Sequence, residues 1–385
     1  MPTKDFMVVD ARHDHSIRIP RPDLTEKIGA PNACSKCHAE SPARWATEWA
    51  VRWWGSEKSS QPHYGEAIHA GRAGLPGAGH ALAAVAADPT KPGIVRGTAA
   101  ALMGRNPAPD SLATLQQALK DSDPLVREGA LTALEDLDPR ARVPLAAPLL
   151  RDPIFSVRIQ AARLLAAPGV RLTAEQQSAL ESGLADYRQV QEWNADRPES
   201  RLNLGSLHAE KGRVAEAEEA YRAAIRIAPG FAPAYVNLAD LYRGAGRDGE
   251  GEDVLLQGLE AVPGAAALHH SLGLLLAREK RMPEALEALE RAAEMEPSQA
   301  RFSYVYGVAL ESSGRMDRAL NVLKAAHEAH PGNRDILAAL ATFSRKNGEH
   351  SAAIAYAEKL VAVSSGDPGA LQLLQQVRSE APDNH

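Results

Sequence analysis

The chain has 385 residues, a length that usually accommodates two or three domains. Alanine and leucine abound and only 5% of the residues are aromatic, which favours packed helices over sheets. A net charge of −6 argues against nucleic-acid binding, which needs a basic surface, and no apolar run approaches the roughly 18 residues of a membrane-spanning helix.

The first 33 residues have no helical period and are punctuated by Pro20, Pro22 and Pro31. This pattern predicts an extended loop. The opening residues also lack the basic start and apolar core of a signal peptide. Within the loop, His13 and His15 flank Asp14, which could orient either imidazole.

The two cysteines of the chain are Cys34 and Cys37, and His38 follows directly. This spacing is typical of a c-type haem attachment site, in which each thiol forms a thioether to the porphyrin. The adjacent imidazole is then the proximal iron ligand. A dithiol redox pair and a zinc half-site remain open, although the first favours a nearby strand and the second needs distant ligands. The motif predicts one haem c in this chain.

Four of the five tryptophans lie within ten residues after this motif. Trp45, Trp49 and Trp53 recur every four residues and Trp54 joins them, so we expect one aromatic face on a helix. Such a face is either an ordinary core stripe or a surface that packs against the porphyrin. The second interpretation makes Trp45 and Trp49 candidate haem contacts.

A second group of histidines follows the tryptophans. His63 and His69 are six residues apart and would lie on different faces of a helix, so at most one should reach the same iron. Our first choice of distal ligand is His15, since the motif alone does not select among the nearby histidines. The open candidates are His13, His15, His63, His69 and His80.

The next segment repeats every 31 residues. A Val-Arg pair recurs at 95–96, 126–127 and 157–158, and Asp-Pro precedes the second and third pairs. A period of this size indicates stacked helical units, and Asp-Pro suits a helix start. The segment resembles HEAT-like repeats, whose arginines more often pair along the array than bind ligands. We place the first boundary at the glycine-rich break 74–79 and these repeats at 80–170.

The rest of the chain, 171–385, repeats every 34 residues. Small residues, turn glycines, alanines and prolines fall on four parallel grids, and Lys280 is the departure from the glycine grid. This looks like the tetratricopeptide repeat (TPR), with five full copies over about 198–365, a helix-pair fragment at 173–195 and a capping helix near Ala370–Val377. The positions of the four grids are Gly205, Ala239, Gly273, Gly307, Ala341; Gly212, Gly246, Gly314, Gly348; Ala217, Ala285, Ala319, Ala353; and Pro229, Pro263, Pro297, Pro331.

The resemblance implies a concave surface, formed by the first helix of each unit, that docks partner proteins. Its lining is mixed in charge, so we do not expect capture of a carboxylate tail. The residues that the register places there are Val236, Asp240, Arg243, His270, Leu274, Tyr304, Glu311 and Arg345.

Residues 1–72 as a whole, from Phe6–Asp10 and Arg12–Ser16 to the cysteine motif, resemble part of a multihaem c-type cytochrome that carries a C-terminal repeat array. In that family a haem motif typically ends in Cys-His-Met-Pro, and this chain opens with Met1-Pro2. The resemblance therefore implies that Met1 is an internal methionine, with upstream haem motifs and a signal peptide missing. It also implies a periplasmic or other extracytoplasmic location for the full-length protein.

The sequence thus predicts an all-α protein: an irregular haem-binding segment at 1–79 followed by an α-solenoid. Our preferred function is electron transfer through a covalent haem, with a redox partner docked on the repeats. The alternative is an interaction scaffold without a functional haem. We expect no enzyme activity from this chain, although further upstream haems would make multihaem reduction chemistry a third interpretation.

Overall fold

A computed structural model describes residues 3–6, 10–13, 20–167, 169–364 and 366–380. The described part is helical throughout except for one short hairpin, so the predicted all-α solenoid is confirmed. No helix in these ranges is long and apolar enough to cross a membrane. The helices are α1 (Asp23–Ile28), α2 (Ala43–Trp54), α3 (Glu57–Ser60), α4 (Tyr64–Ala73), α5 (Ala78–Ala87), α6 (Gly93–Met103), α7 (Ser111–Ala118), α8 (Pro124–Ala133), α9 (Pro139–Ala146), α10 (Phe155–Leu165), α11 (Ala174–Trp193), α12 (Pro198–Glu210), α13 (Val214–Ile227), α14 (Ala232–Gly244), α15 (Asp248–Ala261), α16 (Ala266–Arg278), α17 (Met282–Met295), α18 (Ala300–Ser312), α19 (Met316–Ala329), α20 (Arg334–Lys346), α21 (His350–Val363) and α22 (Pro368–Ser379).

The chain forms two compact units, 1–69 and 70–385. The first unit contains an antiparallel hairpin of β1 (Thr3–Phe6) and β2 (Asp10–His13), where a loop was predicted. It also contains α1, which likewise falls in the predicted loop. Backbone pairing and one buried leucine therefore order parts of a segment whose composition suggested a loop.

A buried ion pair fixes the start of α1. The Arg21 guanidinium donates two hydrogen bonds of 2.8 Å to the Asp23 carboxylate, and this holds the pKa of Asp23 below its ordinary value. Leu24 is buried beside it. The helix ends at Gly29, whose φ of 67° is left-handed, and Thr47 of α2 donates to Glu26.

Residues 78–166 form the first helical array of the second unit. The Asp123 carboxylate accepts from the Leu125 backbone N–H, with Pro124 at the first helical position, as predicted. At the next repeat α10 begins at Phe155, because Asp152 pairs with Arg127 instead of capping directly. Close helix packing depends on glycine here: a Cβ on Gly129 would overlap the backbone of α6.

The arginines of the 31-residue repeat pair along the array, as predicted. Arg96 pairs with Asp121, and Arg127 pairs with Asp152. Arg158 lies 3.8 Å from Asp186 at the end of the series. Each guanidinium thus links its own repeat to the following one, so these side chains are structural.

Helix α11 joins the two arrays. A pair fragment was predicted at 173–195, but the structure has one 20-residue helix that starts with a capping box between Thr173 and Gln176. Its apolar face, including Leu180 and Leu184, continues the core of the first array. The core extends on to Leu207 of α12, so no break in apolar packing separates the arrays.

Five helix pairs follow, from α12–α13 to α20–α21, and α22 covers the last pair, as predicted. The small residue of each first helix is required by packing: a Cβ on Gly205 would lie 2.5 Å from the Tyr221 ring. The pair turns use glycines with φ of 70–79°, and Lys280 at the one departure adopts φ 65°. The 34-residue grid therefore records close helix approach and left-handed turns.

Candidate functional site

The predicted concave surface is presented by the first helix of each pair. On α14, Val236 is half-buried and Asp240 is exposed. Arg243 follows one turn later and donates to Asp240 over 3.1 Å, so the two charges satisfy each other. This first part of the surface therefore offers an apolar side chain beside a neutralised pair.

The central part of this surface is apolar. Leu274 on α16 and Val308 on α18 are each 37% exposed and occupy the same position in successive 34-residue repeats. Tyr304, one turn before Val308, is half-buried. Val308 was missed by the sequence reasoning, although it lies one repeat period after Leu274, and that step was the signal that could have found it. We call Leu274, Val308 and Tyr304 the apolar strip.

His270 departs from its predicted role as an exposed lining residue. It is 6% exposed, its ring packs 4.7 Å from the Phe302 ring, and neither ring nitrogen has a hydrogen-bond partner. Burial, aided by the positive charge of Arg301, lowers its pKa to about 4. A neutral imidazole in this position acts as core, because the helix face turns it towards Phe302.

The charged residues at the far end of the surface are paired. Glu311 accepts from Lys346 over 2.7 Å. Arg345 donates to both carboxylate oxygens of Glu380, over 2.8 and 2.9 Å. The pairs link α18 to α20 and α20 to the end of α22, so these charges are engaged within the array.

The cysteine motif lies in the first unit on a short 3-10 turn, Cys34–Lys36. The backbone N–H groups of Cys37 and His38 both donate to the Cys34 carbonyl, over 3.2 and 3.0 Å. Cys34 is half-buried, Cys37 is exposed, and both are free thiols. The turn thus brings the two cysteines and the exposed His38 onto one loop at the surface.

The predicted aromatic face lies on α2. Trp45 packs against His38 with ring centroids 4.7 Å apart, and Trp49 contacts Trp53 at 5.4 Å. Trp53 and Trp54 are 61% and 47% exposed, too open for an ordinary core stripe. The face therefore begins at the motif histidine and runs out to the surface of this unit.

The candidate distal histidines are dispersed or lie outside the described residues. His15 is outside them, and His13 is on β2 with its side chain undescribed. His63 accepts a hydrogen bond from the Gly65 N–H over 3.0 Å, and His69 is exposed on α4. His80 pairs with Asp110. In the ranges that the structure covers, no three His, Cys, Asp or Glu side chains come together as a metal site.

Comparison with protein families identifies the two arrays. A model of HEAT repeats matches residues 80–166. One tetratricopeptide repeat model matches 173–230 and 283–334, and a second matches 208–275 and 310–376. The chain carries HEAT repeats followed by tetratricopeptide repeats. These matches concern the repeats and do not extend to the cysteine motif.

Solved structures of TPR proteins are similar to part of the chain. YrrB, described as a TPR protein with an unusual peptide-binding site, is 21% identical, with 49% of this chain and 97% of that one covered and a TM-score of 0.37. MamA is 19% identical, with coverages of 46% and 97% and a TM-score of 0.37. PilF of Pseudomonas aeruginosa is 16% identical, with coverages of 59% and 97% and a TM-score of 0.41. No curated protein matches the chain.

Proposed function

We propose that the chain is an interaction scaffold whose TPR array binds a protein partner through the apolar strip. The observation that carries this is the exposure of Leu274 and Val308 at the same position of adjacent repeats. Leucine and valine side chains lose an unfavourable contact with water when a partner covers them. A binding role gives these exposed side chains a reason that the packing of the array does not.

The partner segment should itself be apolar. Asp240, Glu311 and Arg345 already have intramolecular partners, so a charged ligand would have to displace existing ion pairs. An apolar segment can dock on the strip without breaking them. We therefore propose a peptide segment with two or more large apolar side chains, and not a bare carboxylate tail.

A peptide-display selection on the full chain tests this proposal. Twelve-residue peptides that bind the wild type are measured again on the double variant Leu274→Glu with Val308→Glu. The matched control is Leu256→Glu, since Leu256 is 44% exposed but lies on α15, a second helix of its pair. We expect the double variant to lose affinity at least roughly tenfold, because charge replaces the apolar contact.

The control variant should bind like the wild type. Peptides that bind the double variant as tightly as the wild type, or that are lost only with Leu256→Glu, would show that the strip is not the binding surface. Circular dichroism of each variant verifies that the helices are intact.

A second candidate function is that of a c-type cytochrome module. The turn at Cys34 favours it, because both thiols are free and His38 is exposed next to them. Cys34 and Cys37 would hold haem c, His38 would ligate its iron and Trp45 would pack beside it. The haem would supply one-electron transfer to a redox partner. This function implies an extracytoplasmic location, where the haem is attached.

Haem staining tests this second function. The chain is exported to a compartment with haem-attachment machinery and analysed on a denaturing gel stained for peroxidase activity. The wild type and a Ser35→Ala control should give a stained band, and the variant Cys34→Ala with Cys37→Ala should not. An unstained wild type would leave the scaffold as the remaining function.

A further inference from the structure

Two glycines that are distant in sequence meet within the second unit. Gly74 follows α4, just before the HEAT repeats, and Gly332 lies in the turn between α19 and α20 of the TPR array. A Cβ on Gly74 would lie 2.9 Å from the Gly332 carbonyl oxygen. A Cβ on Gly332 would overlap the carbonyl group of Gly74. The backbones therefore approach as closely as only glycine permits.

The burial of Gly332 is unusual for its position in the repeat. The corresponding turn residues of the preceding TPR units are Gly230, Gly264 and Ser298, and all three are exposed. Gly332 alone among these four is buried. A Cβ on Gly264 would meet nothing within 4 Å. The contact with the HEAT end is therefore what distinguishes this turn, since the repeat itself leaves the position open.

A buried amide fixes the HEAT side of this contact. Asn106 is 7% exposed, and its Nδ2 donates to the carbonyls of Gly71 and Leu102 over 2.9 and 2.8 Å. Gly74 itself has a φ of 63°, a conformation that favours glycine. The segment 71–74 is thus held on the first HEAT helices in a defined shape before it meets the TPR turn.

The contact borders a cleft of about 710 Å³ that both arrays line. Arg72, Arg105 and Asn106 contribute from the HEAT side, and Asn333 and Asp335 contribute from the TPR side. The two arrays therefore face each other over more than a single pair of atoms.

We propose that Gly74 and Gly332 form an intramolecular latch, in which the end of the HEAT array docks on the turn of the fourth TPR unit. The latch fixes the position of one array relative to the other within the second unit. The occupant of the TPR turn is the chain's own segment 71–74, presented by Asn106. This inference does not depend on which partner binds the apolar strip.

Amide hydrogen exchange of two matched pairs of full-length variants tests the latch. The first pair is Gly332→Ala and Gly264→Ala, which make the same substitution at the same repeat position. We expect Gly332→Ala to speed exchange in 70–77 and 329–335 by roughly tenfold, because a backbone carbonyl cannot move aside as a flexible side chain can. Gly264→Ala should leave both segments at the wild-type rate.

The second pair is Gly74→Ala and Gly77→Ala. Both glycines have positive φ, 63° and 77°, so both variants bear similar backbone strain, but a Cβ on Gly77 meets nothing within 4 Å. Gly74→Ala should accelerate exchange at the distant segment 329–335, and Gly77→Ala should not.

Equal exchange at 329–335 in Gly74→Ala and Gly77→Ala would overturn the latch, as would equal exchange at 70–77 in Gly332→Ala and Gly264→Ala. Exchange of α8 and α16 serves as the internal reference. Its constancy shows that the arrays remain folded and that the change is confined to the contact.

Discussion

Lys280 is the one residue other than glycine that adopts a left-handed backbone in the described part of the chain. It takes the place that Gly246 and Gly314 hold in the neighbouring repeats, with φ of 71° and 79°. The side chain makes this conformation unfavourable by about 1 kcal/mol. The third TPR unit therefore has a strained turn that the others avoid.

Replacing this residue with glycine should relieve the strain. We expect Lys280→Gly to raise the free energy of unfolding by about 0.5–1 kcal/mol, measured by urea denaturation. Glu279→Gly is the control, because Glu279 has φ −76° and gains nothing from glycine. A stabilisation equal in both variants, or absent from Lys280→Gly, would contradict this explanation.

His270 makes the TPR array sensitive to acid. Its pKa in the folded state is about 4, below the ordinary value of 6.5, so between these values the unfolded chain binds more protons. Its contribution to stability is complete above pH 6.5 and declines as the pH falls towards 4. We expect His270→Leu to flatten this decline.

Thermal melting from pH 7.5 to 4.5 checks the prediction. The melting temperatures of wild type and His270→Leu should diverge as the pH falls, with the variant the more stable at pH 4.5. The comparison at pH 7.5 is the control, since the imidazole is neutral in both states there. Parallel curves over the whole range would show that His270 is not the responsible group.

At the scale of elements, the arginine series joins the HEAT repeats. Arg127 is buried and donates to Asp152 and to the Asp121 carbonyl, over 2.8 and 2.7 Å. Removing one partner of such a pair leaves a buried charge without compensation, which costs about 3 kcal/mol. Arg151, by contrast, pairs with Glu175 at the surface.

We therefore expect Arg127→Met to lower the free energy of unfolding by about 3 kcal/mol, and Arg151→Met to lower it by less than about 1 kcal/mol. The double variant Arg127→Met with Asp152→Leu should recover part of the loss, because no charge is left buried. Denaturation of the four proteins measures this. A double variant less stable than Arg127→Met alone would contradict it.

Sequence patterns predicted the elements of the arrays well, because each grid position answers a local packing need. Gly205 faces Tyr221, and Asp123 caps α8, so both could be inferred from residue type and spacing. The hairpin at residues 3–13 and the continuity of α11 were missed. Their order depends on pairing and on core contacts that no short-range period records.

The candidate sites were predictable only in part, for the same reason. The register placed Leu274 and Tyr304 on the first helices, but whether a side chain is open or covered depends on its neighbours. His270 is covered by Phe302, and Val308 is open. The contact of Gly74 with Gly332 joins segments far apart in sequence, so no motif could indicate it.

At the scale of the whole molecule, α22 terminates the array. Val377 is fully buried against Ala341, Ala353 and Ala357. In a repeat protein each unit depends mainly on its neighbours, so damage at an end should stay near that end. We expect Val377→Asp to speed amide exchange in 334–363 and to leave 80–166 unchanged.

Hydrogen exchange with mass spectrometry measures this, and Leu371→Asp is the control. Leu371 lies on the same helix but is 45% exposed, so a carboxylate there remains in water. Acceleration throughout 80–363 in the Val377 variant would show that the second unit unfolds as one cooperative block.

The placement of the tryptophans has a practical consequence for spectroscopy. Four of the five indoles lie on α2 in the first unit, and the fifth, Trp193, ends α11 at 72% exposure. Substituting phenylalanine for Trp193 would confine ultraviolet-excited emission to the first unit, while far-ultraviolet dichroism would report mainly on the helices of the second. Each half of the chain could then be followed through its own optical signal in one sample.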